Sequence, residues 1–146
     1  MQLALYKGTR PGLAGIFNRA VRWWTRGPYS HCELVLWRLP DGTAMCGSAS
    51  NTDGGVRIKA IDLDPARWDL VELPRVDPFA AFDWFEAHAG DGYDLRGLFG
   101  FVWRRGDGDR DKYYCSEACA AAIGIDEPWR FDPNTLAAVA RFANRL

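Results

Sequence analysis

The chain has 146 residues, a formal net charge of -1, 48% hydrophobic residues and 25% charged residues. This length and composition fit one globular domain with a sizeable core. The nearly neutral charge offers no electrostatic case for binding nucleic acid or an anionic membrane. The first segment has no signal-peptide pattern, and no window approaches the ~18 consecutive apolar residues of a membrane span. A cytoplasmic protein without a membrane span is therefore expected.

Short strands dominate the first half of the predicted structure. The LALY segment is β-prone, and apolar residues recur at helical spacing from Gly12 to Trp24. Gly27 and Pro28 end this amphipathic helix. Four further segments are predicted as strands, the first two joined by an Asp-Gly turn: YSHCELVLWRL, AMCGSAS, GGVRIKAIDL and WDLVELP. They predict an antiparallel sheet of four to five strands.

Helices dominate the second half. DPFAAFDWFEAHAG has Asp77 as N-cap, Pro78 at the first helical position and Gly90 at its end. YDLRGLFGFVW predicts a shorter helix, and WRRGDGDRDK predicts a solvated charged loop. CSEACAAAIG predicts a helix that Gly124 ends, and DPNTLAAVARFANRL opens with a second Asp-Pro start. Strands followed by helices predict a single α+β domain over residues 1–146, with the sheet packed against helices.

Cys115, in the first turn of a predicted helix, has the sequence setting of a nucleophile. The positive end of the helix dipole favours the thiolate over the thiol. An adjacent imidazolium lowers the thiol pKa further and supplies an acid and a base. Backbone N–H groups of the same turn can hold the oxyanion of a tetrahedral intermediate. His31, at the head of a hydrophobic strand, is the candidate partner if that strand packs against the helix.

Structural interpretations of the same residues stay open. A cysteine at a helix start is more often a small buried hydrophobe than a nucleophile, and a lone strand histidine usually has a packing role. Glu117 fits a carboxylate that stabilises the first turn of a helix, and His88 fits a dipole partner near a helix C-terminus.

The other three cysteines are expected to be structural. Cys32 points to the strand face opposite His31, Cys46 lies in the return strand, and Cys119 is one turn beyond Cys115. No two cysteines form a close CxxC pair, which favours an intracellular protein with reduced thiols. A metal site built from His31, Cys115 and Cys119 is the least favoured alternative, because no fourth ligand is evident.

Several motifs in this order resemble the circularly permuted NlpC-like branch of the papain-like cysteine hydrolases. They are SHCELVL followed by CGSASNTDGGVRI, and later GYDLRGLFG and YYCSEACAAAIG. In that branch the histidine strand precedes the cysteine helix. The resemblance runs from about residue 29 through the final helix and is closest to the YiiX-like group and to small proteins of tailed phages and prophages. It implies a permuted papain-like fold with the catalytic cysteine at a helix N-terminus.

The resemblance implies Cys115 as the nucleophile and His31 as the general base and acid. The third polar residue of the family falls on Ser48, where relatives often have Glu, His or another stronger polar group. A serine hydroxyl can orient an imidazole, but it cannot stabilise the positive charge as a carboxylate would. Glu33 lies on the same strand face as His31 and could supply that charge, although a salt-bridged or solvated carboxylate is the favoured interpretation. Ser50 shares the face of Ser48 and is a weaker candidate.

The resemblance also covers one aromatic residue, Tyr93. Tyr93 in GYDL corresponds to the tyrosine that the family places ahead of its cysteine segment, near the active site. The resemblance therefore implies a role for Tyr93 in substrate binding. An ordinary aromatic residue at a helix start is the structural alternative.

The expected function is that of a cysteine hydrolase that cleaves amide or ester bonds through a thioester and needs no cofactor. The family includes peptidases and amidases of cell-wall-type peptides, and also lipid acyltransferases and phospholipases. The sequence lacks the hydrophobic C-terminal anchor of many lipid enzymes, which favours amide hydrolysis of a peptide or small substrate. The alternative is a catalytically weak or inactive binding or assembly module, for example a phage structural or accessory protein. The sequence predicts neither the substrate nor the oligomeric state.

Overall fold

A computed structural model of the chain describes residues 1–94 and 112–145. Within these residues the fold is α+β, with a seven-stranded mixed sheet and four α-helices. The strands are β1 (Gln2–Tyr6), β2 (His31–Arg38), β3 (Ala44–Ser50), β4 (Gly55–Ile61), β5 (Trp68–Glu72), β6 (Gly92–Tyr93) and β7 (Lys112–Tyr113). The helices are α1 (Gly12–Thr25), α2 (Pro78–Ala87), α3 (Cys115–Ala122) and α4 (Pro133–Ala143), and a 3-10 helix spans Pro128–Arg130.

The strand order in the sheet is β5-β1-β2-β3-β4-β6-β7. Neighbouring strands from β5 to β6 are antiparallel, whereas β6 and β7 are parallel. The prediction of four to five antiparallel strands was therefore wrong in number and in the direction of the last pair. Strands β6 and β7 have two residues each, which is too short for an alternating pattern to be recognised in the sequence.

The predicted helix starts agree with the capping residues in the structure. Asp77 and Asp132 are the N-caps of α2 and α4, and each accepts a hydrogen bond from a first-turn N–H. Gly124, just beyond α3, has a φ of 78°, the left-handed conformation that favours glycine. The short helix predicted over residues 93–103 and the charged loop after it lie almost entirely outside the described residues, and Tyr93 itself is in β6.

The two faces of the sheet have different coverings. One face packs against α2, α3 and α4, and its core includes Leu34 of β2 and Phe85 of α2. The opposite face carries a smaller apolar cluster that includes Trp68. Arg57 of β4 pairs with Ser48 of β3 on this second face, beside the middle of β2. The alternation of side chains along the strands therefore separates a helix-covered core from a face that mixes apolar and charged residues.

Candidate active site

The segment that leads into β2 is anchored from two helices, which fixes the start of the strand where His31 lies. Asn18 of α1 donates its side-chain N–H to the hydroxyl of Ser30 at 3.0 Å. Asn134 of α4 accepts from the N–H of Tyr29 at 3.0 Å and donates to the Tyr29 carbonyl at 2.9 Å. Because these contacts hold the two residues before His31, the imidazole projects from a fixed backbone.

Cys115 is the first residue of α3 and lies against the start of β2. Its side chain is only 3% exposed. The helix packs on β2 and β3, and Cys115 belongs to the core cluster on that side of the sheet. The packing of α3 therefore places this thiol at a helix start beside the strand of His31.

Cys115 and His31 interact directly and change the protonation of each other. A hydrogen bond from the Cys32 thiol lowers the pKa of Cys115 most, burial opposes it, and the charge and hydrogen bond of His31 lower it further. For His31, burial lowers the pKa, but the charge and hydrogen bond of Cys115 and those of Glu33 raise it to about 10. Both directions favour a thiolate–imidazolium pair over the neutral pair.

Glu33 holds the other side of the imidazole. Its Oε1 is 2.7 Å from His31 Nε2, and the carboxylate is only 1% exposed. Although burial raises its pKa, hydrogen bonds from Arg57 and His31 lower the Glu33 pKa to about 2. An ionised carboxylate can only accept, so Nε2 carries the proton and Nδ1 is the ring nitrogen left for the thiol.

Arg57 binds the carboxylate of Glu33, which His31 also contacts. The sequence did not indicate this role. Its two terminal nitrogens donate to the two oxygens of Glu33, each at 2.6 Å, and its Nε donates to Asp53 at 3.0 Å. Lys59 donates to the same aspartate at 2.8 Å. The alternation of RIK in GGVRIK already placed Arg57 and Lys59 on one face of β4. Their pairing with a residue of β2 depended on the register across β3, which the sequence does not give.

Cys32 also has a role that the sequence did not indicate. It lies on the face of β2 opposite to that of Glu33, as predicted, and that face is the one covered by α3. Its thiol therefore meets the sulfur of Cys115 and donates a hydrogen bond that favours the thiolate. Burial raises the pKa of Cys32 well above its usual value, so this residue stays a thiol and remains a donor.

The two serine candidates are buried within β3. The hydroxyl of Ser48 donates to the carbonyl oxygen of Cys32 at 2.7 Å and lies 3.4 Å from that of Ala49. Ser50 pairs with Gly55 of β4 at the end of the strand. Neither serine is among the described contacts of the His31 ring, which the Glu33 carboxylate reaches.

Tyr93 lies close to the thiol, in β6. Its side chain is half-buried and packs against the core cluster that contains Cys115. Burial, and then the negative charge of Cys115, raise the pKa of Tyr93. The tyrosine therefore remains a neutral hydroxyl beside the site, where it can donate a hydrogen bond.

The residues expected to be structural have structural contacts. The Glu117 carboxylate accepts from the N–H of Tyr114 at 3.4 Å, and burial raises the Glu117 pKa to about 7. His88 caps α2 and stacks on Trp84 with ring centroids 4.0 Å apart. Cys46 and Cys119 are fully buried.

No protein-family model matches the chain, and no curated protein matches it significantly.

Across residues 1–94 and 112–145, no group of three or more His, Cys, Asp or Glu side chains is placed to hold a metal ion. In space, Cys115, with a lowered pKa, is followed by His31, with a raised pKa, and then by the buried carboxylate of Glu33, which Arg57 neutralises.

Proposed function

We propose that this protein is a cysteine hydrolase that cleaves an amide or ester bond through a covalent thioester on Cys115. The observation that carries the proposal is the direct interaction of Cys115 with His31, whose other ring nitrogen contacts Glu33. A permuted papain-like fold is part of the proposal, since the histidine strand precedes the cysteine helix in the chain. We assign Cys115 as nucleophile, His31 as acid and base, and Glu33 as the residue that orients and charges the imidazole.

The reaction follows from the protonation states of the site. The Cys115 thiolate attacks the carbonyl carbon, and the new C–S bond places the negative charge on the carbonyl oxygen. The N–H groups of Cys115 and Ser116 are the candidate donors to that oxygen, because first-turn N–H groups have no intrahelical acceptor. The proton of the imidazolium passes to the leaving nitrogen or oxygen as its bond to carbon breaks. His31 then takes a proton from water, which attacks the thioester and releases the acid and the thiolate.

The charges of the site favour this assignment over a catalytically inactive binding module. Burying a carboxylate, an imidazolium and a thiolate is unfavourable in free energy, and a binding role does not require it. In Glu33 and His31 the charges are nonetheless arranged so that each supports the ionised form of the next. A peptide-type amide or a small ester is the substrate class we propose; a lipid acyl ester belongs to the same chemistry.

The first test measures the reactivity of Cys115. Iodoacetamide alkylation is followed by mass spectrometry between pH 4 and 10 in the wild type, in His31→Ala and in His88→Ala, which removes the other of the two histidines. We expect Cys115 to react well below pH 9.0, the usual pKa of a Cys thiol, and His31→Ala to shift the profile towards that value. His88→Ala should behave as the wild type. Inert Cys115 in the folded protein, or equal profiles in all three proteins, would contradict the ion pair.

A second measurement separates a reactive thiol from an enzyme. The protein is mixed with an activated ester, p-nitrophenyl acetate, and the acetyl group on Cys115 is measured by mass spectrometry over time. Turnover requires that the adduct form and then decay in the wild type, and His31→Ala should slow the decay because no base activates water. A reactive Cys115 that never loses its acetyl group would favour the binding module over the hydrolase.

A further inference from the structure

Helix α1 turns its apolar side chains away from the protein. Trp23 is 78% exposed, Leu13 84%, Ile16 65% and Trp24 46%. The buried residues of the helix are Gly15, Asn18 and Val21. A surface helix normally buries its apolar stripe and exposes its polar one, so α1 has the reverse orientation.

The exposed apolar side chains form one continuous surface. At about 100° per residue, the positions of Trp23, Ile16, Leu13, Trp24 and the half-buried Phe17 fall within an arc of about 120°. We call these five side chains the outer face of α1. A contiguous apolar surface of this kind is unusual on a soluble protein and indicates a binding surface.

The opposite side of α1 attaches the helix by hydrogen bonds. The guanidinium of Arg22 donates to the carbonyl oxygens of Lys7 and Gly8, both at 2.7 Å, and to the hydroxyl of Thr9. Asn18 donates to Ser30 at 3.0 Å. Because these bonds fix the orientation, the outer face stays directed away from the sheet.

The charges around the outer face have one sign. Residues 7–32 contain five Lys and Arg residues and no Asp or Glu, although the whole chain has a net charge of -1. Lys7 is paired with Asp69, and Arg22 is used within the protein. Arg10, Arg19 and Arg26 are exposed in or beside α1. The neutrality of the whole chain therefore conceals a local positive surface next to an apolar one.

We propose that the outer face of α1 binds the interface of an anionic lipid bilayer. A helix that combines Trp, Leu and Ile on one side with arginines at its edges is suited to lie in the plane of such an interface, with its apolar side chains among the acyl chains. Anionic headgroups neutralise the three arginines, whereas a second copy of α1 would bring like charges together. No helix in residues 1–94 or 112–145 is long and apolar enough to cross a bilayer, so the contact is with the surface. The proposal does not depend on the catalytic one.

The test measures co-sedimentation of the whole chain with large unilamellar vesicles. One set of vesicles contains phosphatidylcholine alone, and the other contains phosphatidylcholine and phosphatidylglycerol. We expect sedimentation with the anionic vesicles at low salt, and an affinity that falls on the order of tenfold when the salt concentration is raised to the molar range. Lipids brominated in the acyl chain should quench part of the tryptophan fluorescence, because Trp23 and Trp24 enter the bilayer.

Two pairs of variants assign the binding to α1. Leu13→Gln/Ile16→Gln removes apolar side chains that are already exposed, so the fold should be retained; Phe79→Gln, at a residue of α2 that is 77% exposed, is the control. Arg19→Glu reverses a charge at the edge of the outer face, and Arg75→Glu reverses an exposed charge elsewhere. We expect the two α1 variants to lose on the order of tenfold or more in affinity and the two controls to bind as the wild type.

Three results would overturn the proposal. The first is no sedimentation of the folded wild type with anionic vesicles. The second is equal binding by the α1 variants and their controls. The third is a concentration-dependent dimer in light scattering that Leu13→Gln/Ile16→Gln abolishes while vesicles are not bound; in that case a second copy of the chain covers the outer face.

Discussion

Glu33 is a carboxylate with almost no contact with water, and two positively charged side chains replace its hydration. Arg57 binds both of its oxygens, and His31 contacts one of them. A buried charge of this kind is tolerated because it is paired and hydrogen-bonded on both oxygens. Removing the negative charge therefore affects its neighbours, of which the imidazole is the one connected to the thiol.

Glu33→Gln is predicted to decrease the reactivity of Cys115, whereas Ser48→Ala is not. The amide keeps the shape of the side chain but withdraws the charge that favours the imidazolium, so the His31 pKa falls and the Cys115 pKa rises. One pKa unit corresponds to about 1.4 kcal/mol, or about tenfold in the alkylation rate at a pH below the Cys115 pKa. Ser48 donates to a backbone carbonyl, so its loss should change that rate by less than about twofold. The opposite ranking of the two variants would make Ser48 the third member of the site.

At the scale of residues, the sequence pointed to Cys115 and His31, which the fold brings together, but not to the residues that set their charges. Cys115 and His31 were selected because a helix start and a strand head are visible in local sequence. For Glu33 the favoured interpretation is a salt-bridged or solvated carboxylate; in the structure it is buried, makes a salt bridge to Arg57 and also contacts the imidazole. Arg57 and the thiol of Cys32 were not selected, because their contacts cross between strands or between strand and helix.

The two residues at the entry into β4 tolerate a side chain to different degrees. Gly54 and Gly55 both have positive φ, 86° and 146°. A methyl group on Gly55 would be 1.8 Å from the carbonyl oxygen of Asp91, whereas one on Gly54 would meet nothing within 4 Å. This close approach lets β4 pair with β6, the strand of Tyr93.

Gly55→Ala is predicted to destabilise the protein more than Gly54→Ala. Both variants place a side chain at positive φ, which costs about 1 kcal/mol, and Gly55→Ala must also move the backbone at Asp91. We expect a loss above about 2 kcal/mol in the free energy of unfolding for Gly55→Ala, measured by urea denaturation. Equal losses in the two variants would mean that the approach of β6 does not depend on the missing Cβ.

At the scale of elements, periodic segments were predictable and short ones were not. Strands β1 to β5 and the four helices each have an apolar repeat or a capping residue within the segment itself. The pairing of β6 with β7 is parallel and joins residues 20 positions apart, Gly92 with Lys112 and Tyr93 with Tyr113, so no local pattern marks it. The family resemblance predicted the order of the histidine strand and the cysteine helix but not the size of the sheet.

For the whole molecule, the ion pair predicts an unusual dependence of stability on pH. Below pH 6.5, the usual His value, the unfolded state binds one proton more than the folded pair over the range in which the lowered pKa of Cys115 keeps the folded thiol ionised. Between pH 6.5 and 9.0, the usual Cys value, folded and unfolded states bind one proton each. Above pH 9.0 the folded pair keeps its proton up to about pH 10, while the unfolded state has lost both. The contribution of the pair therefore rises with pH, stays level, and then falls.

The corresponding measurement is the difference in free energy of unfolding between the wild type and Cys115→Ser/His31→Ala across the pH range. We expect this difference to be constant between about pH 6.5 and 9. On both sides of this range it should become less favourable to the folded wild type, because the pair then contributes less stability. A difference that already declines through pH 7 to 8 would mean that His31 titrates without the thiolate. Glu33 adds a separate loss of stability as the pH falls from 4.5 towards 2, because its folded pKa is lowered to about 2.

The hydrogen bonds between Asn134 and Tyr29 have a consequence for the nascent chain. They join residues 105 positions apart, and a ribosome adds about 5–20 residues per second, so about 5–20 s pass between the synthesis of the two. During that interval His31 has been synthesised but the helix that anchors its strand has not, and for most of it Cys115 does not yet exist. The contacts that anchor the start of the His31 strand on α4 therefore form only after translation has passed α4, later than the synthesis of both His31 and Cys115.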